Sequence, residues 1–151
     1  MSEFIVGARG HDFGRHSVEE LLRSIGDAGF RCTQLAYTKA VEGVKSYADV
    51  TPELVAATNA AVRKSGVSIA VEGTYVELGY ADEDKRRAEV AKALSQVPVA
   101  KALRAGCMGS ETTNMAKQPT VSRREAQEAL LRSLGELLPV CEEQGVLFAV
   151  E

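Results

Sequence analysis

Short apolar runs of strand length alternate along the chain with longer segments of helical period, and that alternation predicts repeated βα units around a parallel sheet. The first strand is expected over Phe4 to Ala8. Ser17 and Glu20 then read as a capping box, and Val18, Leu21, Leu22, Ile25 and Ala28 share one face of a helix that Gly29 ends. A second strand over Cys32 to Tyr37 leads through a polar loop to a helix with Thr51 as N-cap, Pro52 at its first position and Gly66 as its stop. Strand three covers Val67 to Val71. Its helix begins near Asp82, with acids in the first turn where the helix dipole favours them, and Pro98 is expected to kink or split it. Strand four is a short run around Cys107 to Gly109. Ser122 and Glu125 form a second capping box, before a helix faced by Ala126, Leu130, Leu134, Leu137 and Cys141 and closed by Gly145. Val146 to Val150 is apolar without a break, the pattern of a strand buried on both faces.

A strand buried in that way needs a neighbour on each side, and only Glu151 follows it, so the pattern leaves an open edge. Five strands in this order fit a parallel (β/α) barrel of TIM type, truncated after strand five, with residues 1–151 as a single partial domain. They fit equally a complete five-stranded, doubly wound open sheet, and periodicity does not separate the two.

Composition narrows the classes. With 45% apolar and 26% charged residues the sequence is that of a folded domain, which removes a disordered or low-complexity reading. The formal charge of -3 is spread over both signs, and the basic clusters Lys85 to Arg87 and Arg123 to Arg124 lie beside acids, so nucleic acid is not an expected partner. No apolar run approaches the roughly 20 residues that span a bilayer, and the start lacks a signal-peptide segment. A cytoplasmic protein with no membrane partner is expected. Cys32, Cys107 and Cys141 have no metal-binding spacing and are expected to be reduced and structural.

Chemistry in parallel α/β folds collects at the C-terminal ends of the strands. Arg9 to Gly14 follows strand one, and its glycines match neither a dinucleotide loop nor a P-loop. His11 there suits a sugar hydroxyl or a proton shuttle, and equally a loop histidine that caps backbone groups. Gln34 on strand two offers an amide to a polyol. Glu72 to Tyr75 follow strand three and Gly109 to Asn114 follow strand four, which places carboxylates toward the same end of the sheet. Glu151, directly after five apolar residues, is placed as a divalent cation or a general base requires, or else is a solvated chain terminus.

The run Gly7 to Gly14 resembles the first strand and loop of bacterial sugar phosphate isomerase/epimerase proteins of the xylose-isomerase-like barrel superfamily. In the same order, Gln34 to Ala40 resembles the family's second strand, and Gly73-Thr74-Tyr75 its Gly-Cys-Tyr segment. Gly109 to Thr112 is similar to its Gly-Thr-Glu-Thr segment, and Phe148 to Glu151 to its metal-binding fifth strand. Three positions depart from the pattern: Glu72 replaces an apolar residue, Glu77 an Asn and Thr113 a Gly.

The resemblance implies an eight-stranded barrel of about 250 residues. It also implies a divalent metal ion (Mn, Mg, Co or Zn) held by carboxylates and a histidine on strands five to eight, of which this sequence contains Glu151 alone. The implied reaction is isomerisation or epimerisation of a sugar or sugar phosphate, with metal-dependent proton transfer next to a carbonyl in the full-length protein and an inactive chain on its own. Glu151 would be catalytic residue and metal ligand, and His11, Gln34, Tyr75 and Glu111 the substrate side of the pocket. Two other classes stay open: a metal-dependent endonuclease on the same barrel, and a non-enzymatic binding or regulatory module with a flavodoxin-like strand order. Open sheet edges also allow a homo-oligomer.

Overall fold

The computed structural model describes residues 4–151. Five strands form one parallel sheet in the sequential order β1-β2-β3-β4-β5: β1 Gly7–Arg9, β2 Cys32–Leu35, β3 Ser68–Gly73, β4 Cys107–Ser110 and β5 Phe148–Val150. A flavodoxin-like sheet would interleave its strands, so the sequential order removes the doubly wound alternative and leaves the barrel. The helices are α1 Val18–Asp27, the single turn α2 Tyr37–Ala40, α3 Pro52–Ser65, α4 Glu83–Ala102 and α5 Arg123–Gln144. The chain falls into two compact units, Met1–Gly73 with Ala102–Cys107, and Thr74–Lys101 with Met108–Glu151.

In the first unit, β1 pairs with β2 from Gly7↔Cys32 to Arg9↔Gln34. The strand begins at Gly7 and not at Phe4, and before it the Arg31 amide donates to Val6 O. Phe4, Ile5 and Val6 are left 97%, 70% and 65% exposed along the edge. β2 is also shorter than its apolar run. Beyond Leu35 the backbone winds into α2, where the Ala40 amide donates to Ala36 O, and the Arg15 guanidinium donates to the carbonyls of Thr38, Val41 and Val44. The expected apolar face of α1 is buried at Val18, Leu21, Leu22 and Ile25, the last three wholly, whereas Ala28 caps the helix end and is exposed. Burial of each such side chain contributes about 1.5–3 kcal/mol. The Ser17 hydroxyl accepts from the Glu20 amide and donates back to the Glu20 carboxylate, so the expected box closes through the hydroxyl. Thr51 caps α3, and Gly66 ends it in the left-handed conformation at φ 71°, which a side chain would strain.

In the second unit, the capping box of Ser122 and Glu125 opens α5 and the left-handed Gly145 closes it, as the sequence implies. α4 corrects the expectation at Pro98: the helix is not split there but runs continuously from Glu83 to Ala102. Pro98 is exposed, and Val97, Val99 and Ala100 around it are buried, so packing holds the helix where propensity would break it. Arg86 is 1% exposed and pins α4 to α5, donating to Glu83, Glu136 and the Ser133 hydroxyl, which in turn donates to Leu78 O. The last strand also differs from expectation. β5 pairs with β4 from Met108↔Phe148 to Ser110↔Val150, but as the edge of the sheet it is not buried on both faces. Leu147 is 73% and Val150 44% exposed.

Candidate functional site

In the first unit the C-terminal ends of β1 and β2 stand side by side, with Arg9 paired to Gln34. A 3-10 turn over Gly10–Phe13 follows β1 directly and carries His11. Side chains alternate along β2: Thr33 and Leu35 are buried, while Cys32 and Gln34 are half-buried on the other face. Gln34 is therefore on the more open face, at the strand exit next to the turn of His11. Burial, with the nearby Lys39 cation, draws the pKa of His11 below its ordinary value against the pull of Asp12. The shift favours the neutral imidazole, which has one nitrogen to donate and one to accept and so suits a hydroxyl.

Glu72 does not behave as a strand-mouth carboxylate. Register pairs it with Leu35, while Val71 pairs with Gln34, so Glu72 turns to the buried face and is 0% exposed. Tyr37, also fully buried, donates to the Thr58 hydroxyl at 2.8 Å. Burial and the charge of Glu72 together push the Tyr37 phenol up to about 12, even though the bond to Thr58 opposes them. This cluster lies under the helices.

In the second unit three strand exits converge. The Thr74 amide donates to Gly109 O at 2.9 Å, which places the half-buried Tyr75 beside the end of β4. The Glu151 amide donates to Ser110 O at 2.9 Å, so Glu111 and Glu151 leave paired strands next to each other, and both are exposed. Glu151 is in step with Ala149, which pairs with Gly109, so its side chain belongs to the face opposite the buried Met108 and Ser110.

The loops that carry these residues are tied by side chains that the sequence did not mark as functional. Glu77 Oε2 accepts from the Asn114 amide and Oε1 from Lys117 Nζ, each at 2.6 Å. Gln118 donates to Gly79 O at 2.8 Å and accepts from the Ala81 amide at 3.1 Å. Burial alone would raise the Glu77 pKa, but the bonds from Lys117, Asn114 and Thr113 outweigh it and hold the carboxyl below the usual range. Two of the three departures from the family pattern, Glu77 and Thr113, therefore meet in one cluster. No single-sequence signal links them.

A metal site does not form from these residues. Among the described residues, no three His, Cys, Asp or Glu side chains gather where they could hold a cation, and Glu151 supplies one carboxylate. No described helix is long and apolar enough to cross a membrane.

The fold has solved counterparts. The 3-keto-D-glucoside 4-epimerase YcjR from E. coli superposes with a TM-score of 0.74 at 14% identity, covering 98% of this chain and 56% of that one. D-psicose 3-epimerase from Clostridium cellulolyticum H10, solved with D-tagatose, gives 0.76 at 15% identity, covering 95% and 50%. A xylose isomerase-like TIM barrel protein from Mycobacterium smegmatis, solved with magnesium, gives 0.71 at 13% identity, covering 97% and 54%. At these identities the likeness is one of fold, and the chain spans about half the length of each structure. No match was found among curated proteins. The model of the xylose isomerase-like TIM barrel family matches residues 22–151, and the chain belongs to that family.

Proposed function

We propose that the chain is the N-terminal, substrate-holding part of a sugar or sugar phosphate isomerase or epimerase, a single partial barrel domain over residues 1–151. The observation that carries this reading is the convergence of Tyr75, Glu111 and Glu151 at adjacent strand exits in a chain of this family. Within the first unit, His11 and Gln34 at the exits of β1 and β2 are hydrogen-bonding groups of the kind that pair with sugar hydroxyls. The Tyr75 ring packs on the apolar face of the sugar. The Glu151 carboxylate removes the proton from the carbon next to the carbonyl. Returning it to the former carbonyl carbon, while the hydroxyl proton passes between the two oxygens, isomerises the sugar. A second acid that delivers a proton to the opposite face of the same carbon, with Glu151 keeping the one it removed, epimerises it. A divalent cation, with Glu151 as one of its ligands, would supply positive charge next to the sugar oxygens. Of the ligand set that the resemblance implies, this sequence carries Glu151, so turnover on this reading needs ligands besides it. The neighbours solved with a ketohexose and with magnesium support the class of substrate and of metal.

Titration of the isotope-labelled chain with D-tagatose or D-fructose, followed by amide NMR, tests the reading. Shifts concentrated at His11, Gln34, Tyr75 and Glu111 are expected. Shifts scattered over the surface, or none at high sugar concentration, would overturn the assignment.

A further inference from the structure

We propose that Glu77 is a positioning residue for the strand exits of the second unit: it locks the loop that follows Glu111 to the loop that carries Tyr75. The inference rests on the sugar-binding reading of those two residues. Past the ends of β3 and β4 the two loops continue to bond. The Thr74 amide donates to Gly109 O, Ser110 Oγ to Val76 O at 3.4 Å, and the Gly79 amide to Thr112 O at 3.2 Å. These are neutral bonds. Glu77 adds the charge-assisted ones, to the Asn114 amide and to Lys117 Nζ, and such bonds are roughly twice as strong as neutral ones. Glu77 is itself fixed from behind, because its amide donates to Glu89 Oε2 on α4 at 3.0 Å.

The geometry makes the carboxylate specific. Its two oxygens serve two different donors, and an amide offers only one acceptor oxygen for the pair. The Glu77 side chain is 15% exposed against 52% for Lys117, so the anion is the sheltered partner and the lysine reaches in from solvent. A cation and the hydroxyl of Thr113 face the carboxylate, and Glu89, paired with Lys92, and Tyr80 complete the charged surroundings. No atom of Gly79 occupies the space beside Thr113, where a Cβ would come within 2.9 Å of the threonine, so the two loops close tightly at this point. Tyr75 and Glu111, one on each loop, are thereby presented as one rigid pair, with the ordering entropy met on folding and not on binding.

The test compares the wild-type chain with Glu77→Gln and Lys117→Met by amide hydrogen exchange and D-tagatose titration. In Glu77→Gln the Asn114 amide is expected to exchange about tenfold faster or more. Tyr75 and Glu111 signals shift, and sugar affinity falls about tenfold, while amides of α4 and α5 keep their protection. Lys117→Met gives a smaller change of the same kind. In the wild type the Asn114 signal titrates with a midpoint below 4.5, and that transition is absent in Glu77→Gln. Unchanged Asn114 exchange, or a loosened loop with sugar affinity equal to wild type, would overturn the proposal. If the wild-type chain itself gives no sugar response, the sugar reading falls, and the exchange and acid titration alone decide whether the lock exists.

Discussion

His11 stands in a turn that buries part of its ring, and the charge of Lys39 acts on it as well; both effects disfavour the imidazolium. The folded pKa is therefore lower than the unfolded one. The sign follows: well above 6.5 neither state holds the proton, and stability falls as pH drops through 6.5, where the unfolded chain protonates first. A ring NMR titration should place the His11 midpoint below 6.5, and Lys39→Met should move it upward. A midpoint at or above 6.5 would remove the basis for a neutral hydrogen-bonding group there. The place of His11 at a strand exit was legible in the sequence, because the apolar run before it is local. Its electrostatics were not, because Lys39 comes from the α2 turn of a different βα unit. Glu72 shows the same boundary. Its position after an apolar run suggested a strand-mouth carboxylate, but the β2–β3 register, with its irregularity between Thr33 and Gln34, turns it under the helices.

The helices divide in the same way. Ser17, Thr51 and Ser122 cap as expected because a cap is decided within four residues of sequence, and so do the left-handed stops Gly66 and Gly145. Pro98 does not split α4, because the tertiary packing of Val97, Val99 and Ala100 overrides the local propensity for a break. Proline lacks the amide that would donate to Leu94 O, so α4 runs on with one bond missing. Pro98 is exposed, and Pro98→Ala restores that donor without disturbing the core. The variant should be more stable by about 2 kcal/mol, read as a higher urea midpoint with an unchanged slope. A lower midpoint would mean that the pyrrolidine ring or the stiffer unfolded chain contributes more than the bond it removes. The ties made by Glu77 and Gln118 span two loops distant in sequence, and no pattern of period or capping announces them.

The sheet has two edges, and both are apolar. At β1 the approach is lined by Phe4, Ile5 and Val6, and at β5 by Leu147 and Val150, all exposed. Proteins that stay monomeric usually blunt such edges with charges, prolines or bulges, and these residues supply none. In the solved neighbours, about twice as long as this chain, the same family fold has as much sequence again. In the chain by itself the unpaired backbone groups of β5 have a partner of matching chemistry in a second copy, and a net charge of -3 gives little repulsion to prevent it. Sedimentation velocity of the 151-residue chain should therefore show association that grows with protein concentration. Leu147→Lys places a charge on the edge at a side chain already 73% exposed, so it should weaken association while moving the unfolding midpoint by no more than the small shift typical of surface substitutions. A wild-type chain that is monomeric at every concentration would show that the edge is protected. Association unaffected by Leu147→Lys would move the contact away from β5 and toward the edge at Phe4 to Val6.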